Sequence, residues 1–138
     1  MSRVSMNPAS SRSTSRARFE TRVVAVGEQV AEFVRAGVLV LFKAGAPDEL
    51  AEFSVLHEAT VNEDGVEPGD VLELGDVRYR VLAVGSVANQ NLQALGHLVV
   101  KANGRIEPEL PGDVCVESKP LLKPQVGDVI RIETAWET

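Results

Sequence analysis

Short apolar runs separated by glycine turns set the rhythm of this chain. Phe19–Val26 predicts a first strand. Glu28–Arg35 predicts a short helix, because Val30, Phe33 and Val34 recur at i, i+3 and i+4, with Gly37 as its stop. Val38–Lys43 is apolar almost throughout and predicts a central strand. Gly45-Ala46-Pro47 breaks the chain. Pro47 suits the opening of a helical turn, and Asp48, Glu49 and Glu52 suit the positive end of its dipole. Strand character returns over Ala51–Val61. Asn62–Gly69 is dense in turn residues. Asp70–Leu74 and Val77–Val84 then read as strands around a Gly75-Asp76 hairpin turn. In the second of these, Val77, Tyr79 and Val81 alternate with Arg78 and Arg80, which predicts one buried and one wet face. Ala88–Leu95 predicts a second short helix ended by Gly96. His97–Ala102, Asp113–Ser118 and Asp128–Thr134 complete the strands, with a loop over Arg105–Pro111.

About eight short strands at this spacing predict a mainly β fold: a small closed or partly open barrel-like domain, with two short helices over its ends. Strands and helices do not alternate regularly, which argues against a doubly wound parallel sheet. Gly-Asp-Val occurs at 69–71, 75–77, 112–114 and 127–129. Its irregular spacing marks a turn device, Gly supplying positive φ and Val opening the strand, not a solenoid repeat.

Composition narrows the function classes. Of the 138 residues, 44% are hydrophobic, enough for one core, and no apolar run is long enough for a membrane-spanning helix. A single Cys excludes an intramolecular disulfide, and two His exclude a three-His metal site. The formal net charge is −6, but residues 1–18 hold four arginines and no acid, so the segment 19–138 carries −10. Such a surface repels nucleic acid and favours basic protein partners. Residues 1–18 read as a disordered Ser/Arg-rich tail, and 19–138 as the domain. Without a secretory signal, and with one unpaired Cys, a cytoplasmic location is expected.

The common nucleotide, hydrolase and zinc-protease motifs are absent. Candidates are therefore single residues. His57 lies late in a predicted strand, on the face of Phe53, Val55 and Ala59. Its pattern alone favours a satisfied core or rim residue; in a functional role it would be a base or a nucleophile. His97 opens a predicted strand, and sequence spacing does not say whether the two rings meet. Cys115 shares a face with Asp113 and Glu117, acids that blunt a thiol, and reads as structural. Trp136 is expected to anchor the last strand. Lys43, Arg78 and Arg80 read as a solvated strand face. Ser86 suits an N-cap, so Gly85–Ala88 is either a capped turn or an anion site.

Two blocks carry a resemblance. Phe42-Lys43-Ala44-Gly45-Ala46-Pro47-Asp48-Glu49-Leu50, followed by Phe53–His57, resembles the enzyme IIA component of the glucitol/sorbitol phosphotransferase system. So does Tyr79–Ala88 with Asn91-Leu92 and Leu95-Gly96-His97, and Pro111-Gly112-Asp113-Val114 fits downstream. The resemblance spans about residues 19–135. It implies a small barrel-like phosphotransferase component. A His accepts a phosphoryl group from the phosphocarrier HPr and passes it to a Cys of enzyme IIB of the sugar permease, the membrane being reached only through that IIB/IIC permease. It implies His57 as the phosphorylated residue, with attack by Nε2 while Nδ1 is held by a carbonyl or side chain. His97 and Ser86 are implied at most as supporting residues. The scheme needs no ATP, metal or separate cofactor. It leads one to expect His57 near the surface of a shallow site. A non-catalytic regulatory or adaptor protein on the same fold is the alternative.

Overall fold

The computed structural model describes residues 16–63 and 65–134. Eight strands close into a barrel in the order β1-β3-β2-β6-β7-β5-β4-β8. They are β1 (Ala17–Val26), β2 (Val38–Lys43), β3 (Val55–Asn62), β4 (Val71–Leu74), β5 (Val77–Val84), β6 (Leu98–Lys101), β7 (Asp113–Val116) and β8 (Val129–Glu133). Helices are α1 (Val30–Arg35), α2 (Asp48–Ala51) and α3 (Ala88–Leu95). The described residues thus hold three short helices where two were expected. The third is the turn after Pro47, which winds into one turn of helix and delays β3 to Val55.

Neighbouring strands run antiparallel except β2 with β3 and β6 with β7. Eight strands leave an interior that side chains alone can fill. Phe19, Leu39, Leu41, Val55, Leu72, Tyr79, Leu98, Ile130 and Ile132 fill it, each at most 1% exposed. Connectivity places α1 at the end where β2 begins and α3 at the end where β6 begins. Each inserts two apolar side chains into the core: Val30 and Val34 from α1, Ala88 and Leu92 from α3. The ends are therefore plugged, as the pattern predicted.

Three Gly-Asp-Val segments lock their turns with the Asp carboxylate. Asp70, Asp113 and Asp128 each accept the backbone N–H three residues earlier, at 2.8, 3.0 and 2.9 Å. Each Asp N–H returns to the carbonyl of that same residue. Gly69 and Gly127 take φ of +97° and +94°, whereas Gly112 does not enter the left-handed region, so the expected positive φ fails at one of the four.

β1 begins at Ala17, two residues ahead of the expected domain start. Arg18 holds the buried Asp70 carboxylate at 3.1 Å, which ties the start of β1 to the turn before β4. The expected tail therefore gives up Ala17 and Arg18 to the barrel; residues 1–15, like Trp136, lie outside the described residues.

Candidate functional site

Both histidines stand where β2, β3 and β6 meet the end of α3, but on opposite sides of the barrel wall. His57 pairs in register with Lys43 of β2 and Val23 of β1. With Val55 it belongs to the inward-facing set of β3. It is 1% exposed, which corrects the expectation of a surface ring. Phe19 meets it edge-on with ring centres 5.7 Å apart. Phe53 is not on its strand face; it precedes β3 and stacks on Phe33. A register shift between Glu20 and Thr21 ends the simple alternation, leaving Ala59 exposed.

Both ring nitrogens of His57 are engaged. Nε2 lies 2.7 Å from the carbonyl oxygen of Gly96. A carbonyl only accepts, so Nε2 carries the proton. Nδ1 lies 2.6 Å from Thr21 Oγ1 and accepts the hydroxyl proton. Burial pushes the His57 pKa down, and the Gly96 bond offsets only part of that effect. The ring is therefore held neutral in one tautomer.

Gly96 ends α3 in the left-handed conformation, with φ +62°, and that turn aims its carbonyl at His57. A side chain there would press on Lys43, since a Cβ would sit 2.9 Å from that of Lys43. The next residue, His97, faces outward. Its Nδ1 lies 3.2 Å from the Leu41 carbonyl and donates to it. Its ring stacks on Phe42 with centres 4.1 Å apart and planes 15° apart. Among the described residues Nε2 of His97 has no hydrogen-bond partner, and it is not among the polar atoms sealed from solvent.

Two open grooves flank α2 on this outer wall. One, of about 360 Å³, is lined by Phe42, Lys43, Pro47, Leu50 and Leu95 among others. The other, of about 430 Å³, carries the carboxylates of Glu28, Asp48 and Glu52.

The remaining candidates stand apart. Ser86 is exposed, and the cap of α3 is Val87, with no side-chain hydrogen bond, so the predicted N-cap role fails. Eight helical residues at about 1.5 Å each put roughly 12 Å between that end of α3 and Gly96. Ser86 therefore does not reach the His57 ring. Cys115 is fully buried and its thiol pKa is pushed up, chiefly by burial, with Asp113 adding a smaller push. Asp113 itself is held by Lys101 at 2.9 Å. Arg78 and Arg80 face out of β5 as predicted, though Arg78 pairs with Glu73 and Glu133. Among the described residues, no three His, Cys, Asp or Glu stand together as a metal set, and no helix is long and apolar enough to cross a membrane. What sequence reasoning missed is the role of Thr21 and of the Gly96 carbonyl. Neither residue type signals contact with a ring 36 or 39 positions away.

Comparison with known proteins converges on one group. The family described as "PTS system glucitol/sorbitol-specific IIA component" matches residues 18–131. The glucitol/sorbitol-specific EIIA components of Shigella flexneri and Escherichia coli (strain K12) are each 33% identical over 119 residues, spanning 86% of this chain and 97% of theirs. The crystal structure of a PTS system IIA component from Enterococcus faecalis V583 superposes with a TM-score of 0.68 at 25% identity, covering 80% of this chain and 96% of that one.

Proposed function

The chain belongs to the glucitol/sorbitol-specific IIA component family of the sugar phosphotransferase system, and from that premise we propose that it is a histidine phosphocarrier. It accepts a phosphoryl group from phospho-HPr and hands it to a Cys of enzyme IIB during glucitol/sorbitol uptake, working in the cytoplasm. HPr and the IIB/IIC permease are its partners. The observation that carries the reading is the pair of imidazoles at one end of the barrel, each held by hydrogen bonds that define its tautomer. A defined tautomer is what a phosphoryl acceptor needs, because only the unprotonated nitrogen attacks. Transfer between phosphohistidine, histidine and cysteine asks little more than alignment and stabilisation of charge on the phosphoryl oxygens.

The resemblance puts the acceptor at His57. Attack through its Nε2 requires two changes. The ring proton must move to Nδ1, where Thr21 Oγ1 can accept it, and the Gly96 carbonyl must leave Nε2. The sealing of His57 is also the observation that favours the second reading, an adaptor on the same barrel that docks without turnover.

Incubating the full chain with phosphoenolpyruvate, enzyme I and HPr, followed by intact mass measurement, separates the two. A carrier gains one acid-labile phosphoryl group. A chain that stays unmodified beside active upstream components is an adaptor.

A further inference from the structure

We infer that Thr21 is the positioning residue of the phosphoryl transfer. Its hydroxyl donates to His57 Nδ1 at rest and accepts from it in the reactive tautomer, so the ring stays aimed while Nε2 changes from an N–H donor into the nucleophile. The inference rests on the carrier reading with His57 as acceptor, and names the residue that holds the ring through the change.

The two partners of the ring differ in kind. The Gly96 carbonyl, 2.7 Å from Nε2, accepts and does nothing else. While it stands there the proton stays on Nε2, and the attacking lone pair is absent. A hydroxyl both donates and accepts. Thr21 Oγ1, 2.6 Å from Nδ1, therefore serves either tautomer by turning its O–H, with no movement of a heavy atom. A carbonyl or an ammonium in its place would serve one tautomer only.

The partners also differ in how firmly they are held. Thr21 lies inside β1, paired with Ala59 of β3 on one side and with Ile130 of β8 on the other. It is 1% exposed. Val23, two residues on, pairs with His57, so Thr21 stands diagonal to the ring on the inner face of the β1–β3 ladder, within side-chain reach. Its β-branched side chain has little rotamer freedom. Phe19, two residues the other way, meets the ring edge-on at 5.7 Å. Gly96 belongs to no strand. It caps α3 in the left-handed conformation, at φ +62°. A docking protein that displaces this turn frees Nε2 and leaves the Thr21 side of the ring in place. Side chains carried on strands hold reactive geometry more closely than groups on turns.

The step balances with water and the donor phosphohistidine. As the turn withdraws, water takes the proton from Nε2 and supplies one to Nδ1, and the ring stays neutral. The Thr21 O–H turns away, and its oxygen accepts the new Nδ1–H. The Nε2 lone pair then forms the new N–P bond as the N–P bond of the donor breaks. The donor ring, protonated on its other nitrogen, leaves as neutral imidazole with the electron pair of the broken bond. The His57 ring takes up the positive charge, and its Nδ1–H bond to Thr21 strengthens as it does. An interaction that is stronger in the transition state than at rest raises the rate of the step, not the affinity for the donor.

The test uses the full chain with phosphoenolpyruvate, enzyme I and HPr. Four proteins are compared, each at a temperature where it is folded: wild type, Thr21→Val, Thr21→Ser and Val116→Ala. The last truncates a buried residue of β7, a strand that pairs with neither β1 nor β3, and so lowers stability away from His57. Thr21→Val is expected to lower the saturating rate of phosphorylation about tenfold or more, at an unchanged half-saturating concentration of phospho-HPr. Thr21→Ser should restore most of that rate, and Val116→Ala should keep the rate of wild type. The nitrogen resonances of isotope-labelled histidine should show resting His57 only as the Nε2–H tautomer. A folded Thr21→Val phosphorylated as fast as wild type overturns the assignment and leaves the carrier reading intact. So does a loss shared in full by Thr21→Ser or by Val116→Ala, and so does a resting His57 protonated on Nδ1. Where Thr21→Val does not fold, Thr21→Ala takes its place, and the resonances of the wild type decide in either case. A wild type that takes no label beside active upstream components overturns the carrier reading, and the assignment with it.

Discussion

At the scale of single residues, the pair Thr21–His57 sets a measurable dependence on pH. Burial lowers the His57 pKa below its ordinary 6.5 in the folded chain, so the unfolded chain binds the proton more readily. Its contribution to stability is therefore complete above pH 6.5 and is lost as pH falls below 6.5 toward the folded value. Asp70 acts in the opposite sense nearer its ordinary 3.8, because burial raises its pKa. The His57 contribution is accordingly read as a difference: urea unfolding of wild type and His57→Gln between pH 8 and 5 should show a steeper loss for wild type. Equal slopes would mean the ring is not held neutral. Thr21→Val keeps the shape and deletes the hydroxyl that satisfies Nδ1. Leaving that buried nitrogen without a partner should cost about 1–3 kcal/mol, seen as a lower urea midpoint at unchanged slope.

At the scale of elements, the α3–β6 junction is the most sensitive joint. Gly96 adopts φ +62°, and any side chain there meets Lys43 at 2.9 Å. Gly96→Ala should therefore destabilise the chain by about 1–3 kcal/mol through the left-handed backbone and that contact. It should also slow phosphorylation, because it shifts the turn that seats the His57 ring. Wild-type stability would show that the joint yields easily. This element was legible in sequence: Ala88–Leu95 with Gly96 as its stop follows from periodicity, as do the bounds of β2 and β5. The bounds of β3 were not, because Pro47 and the acids behind it start a helix that consumes Ala51. Nor was the turn chemistry of Asp70, Asp113 and Asp128, where the carboxylate accepts a backbone N–H and fastens a turn that the sequence pattern credited to Gly alone. The depth of His57 escaped for a different reason. Alternation tells which face a residue takes, but not that a helix starting 31 residues later, at Ala88, closes the end of the barrel above it. His97 escaped likewise, since its stacking on Phe42 depends on β2 pairing with β6 across 55 residues.

At the scale of the whole molecule, charge decides how a partner arrives. The segment 19–138 carries −10 in formal charge, and Glu28, Asp48 and Glu52 concentrate part of it beside the outer wall that bears His97. Such a field accelerates encounter with a basic donor, by ten-fold or more in steered pairs, and acts over the screening length of the solution. That length is about 30 Å at 0.01 M salt and about 8 Å at 0.15 M. The second-order rate of phosphoryl transfer from phospho-HPr, followed by quenched flow at low protein concentration, should thus fall several-fold over that range. The triple variant Glu28→Gln, Asp48→Asn, Glu52→Gln should start slower at low salt and show a shallower decline. Its three side chains are exposed, so its melting temperature should stay close to wild type and any change in rate belongs to the encounter. A variant as fast and as salt-sensitive as wild type would place the docking surface elsewhere on the barrel.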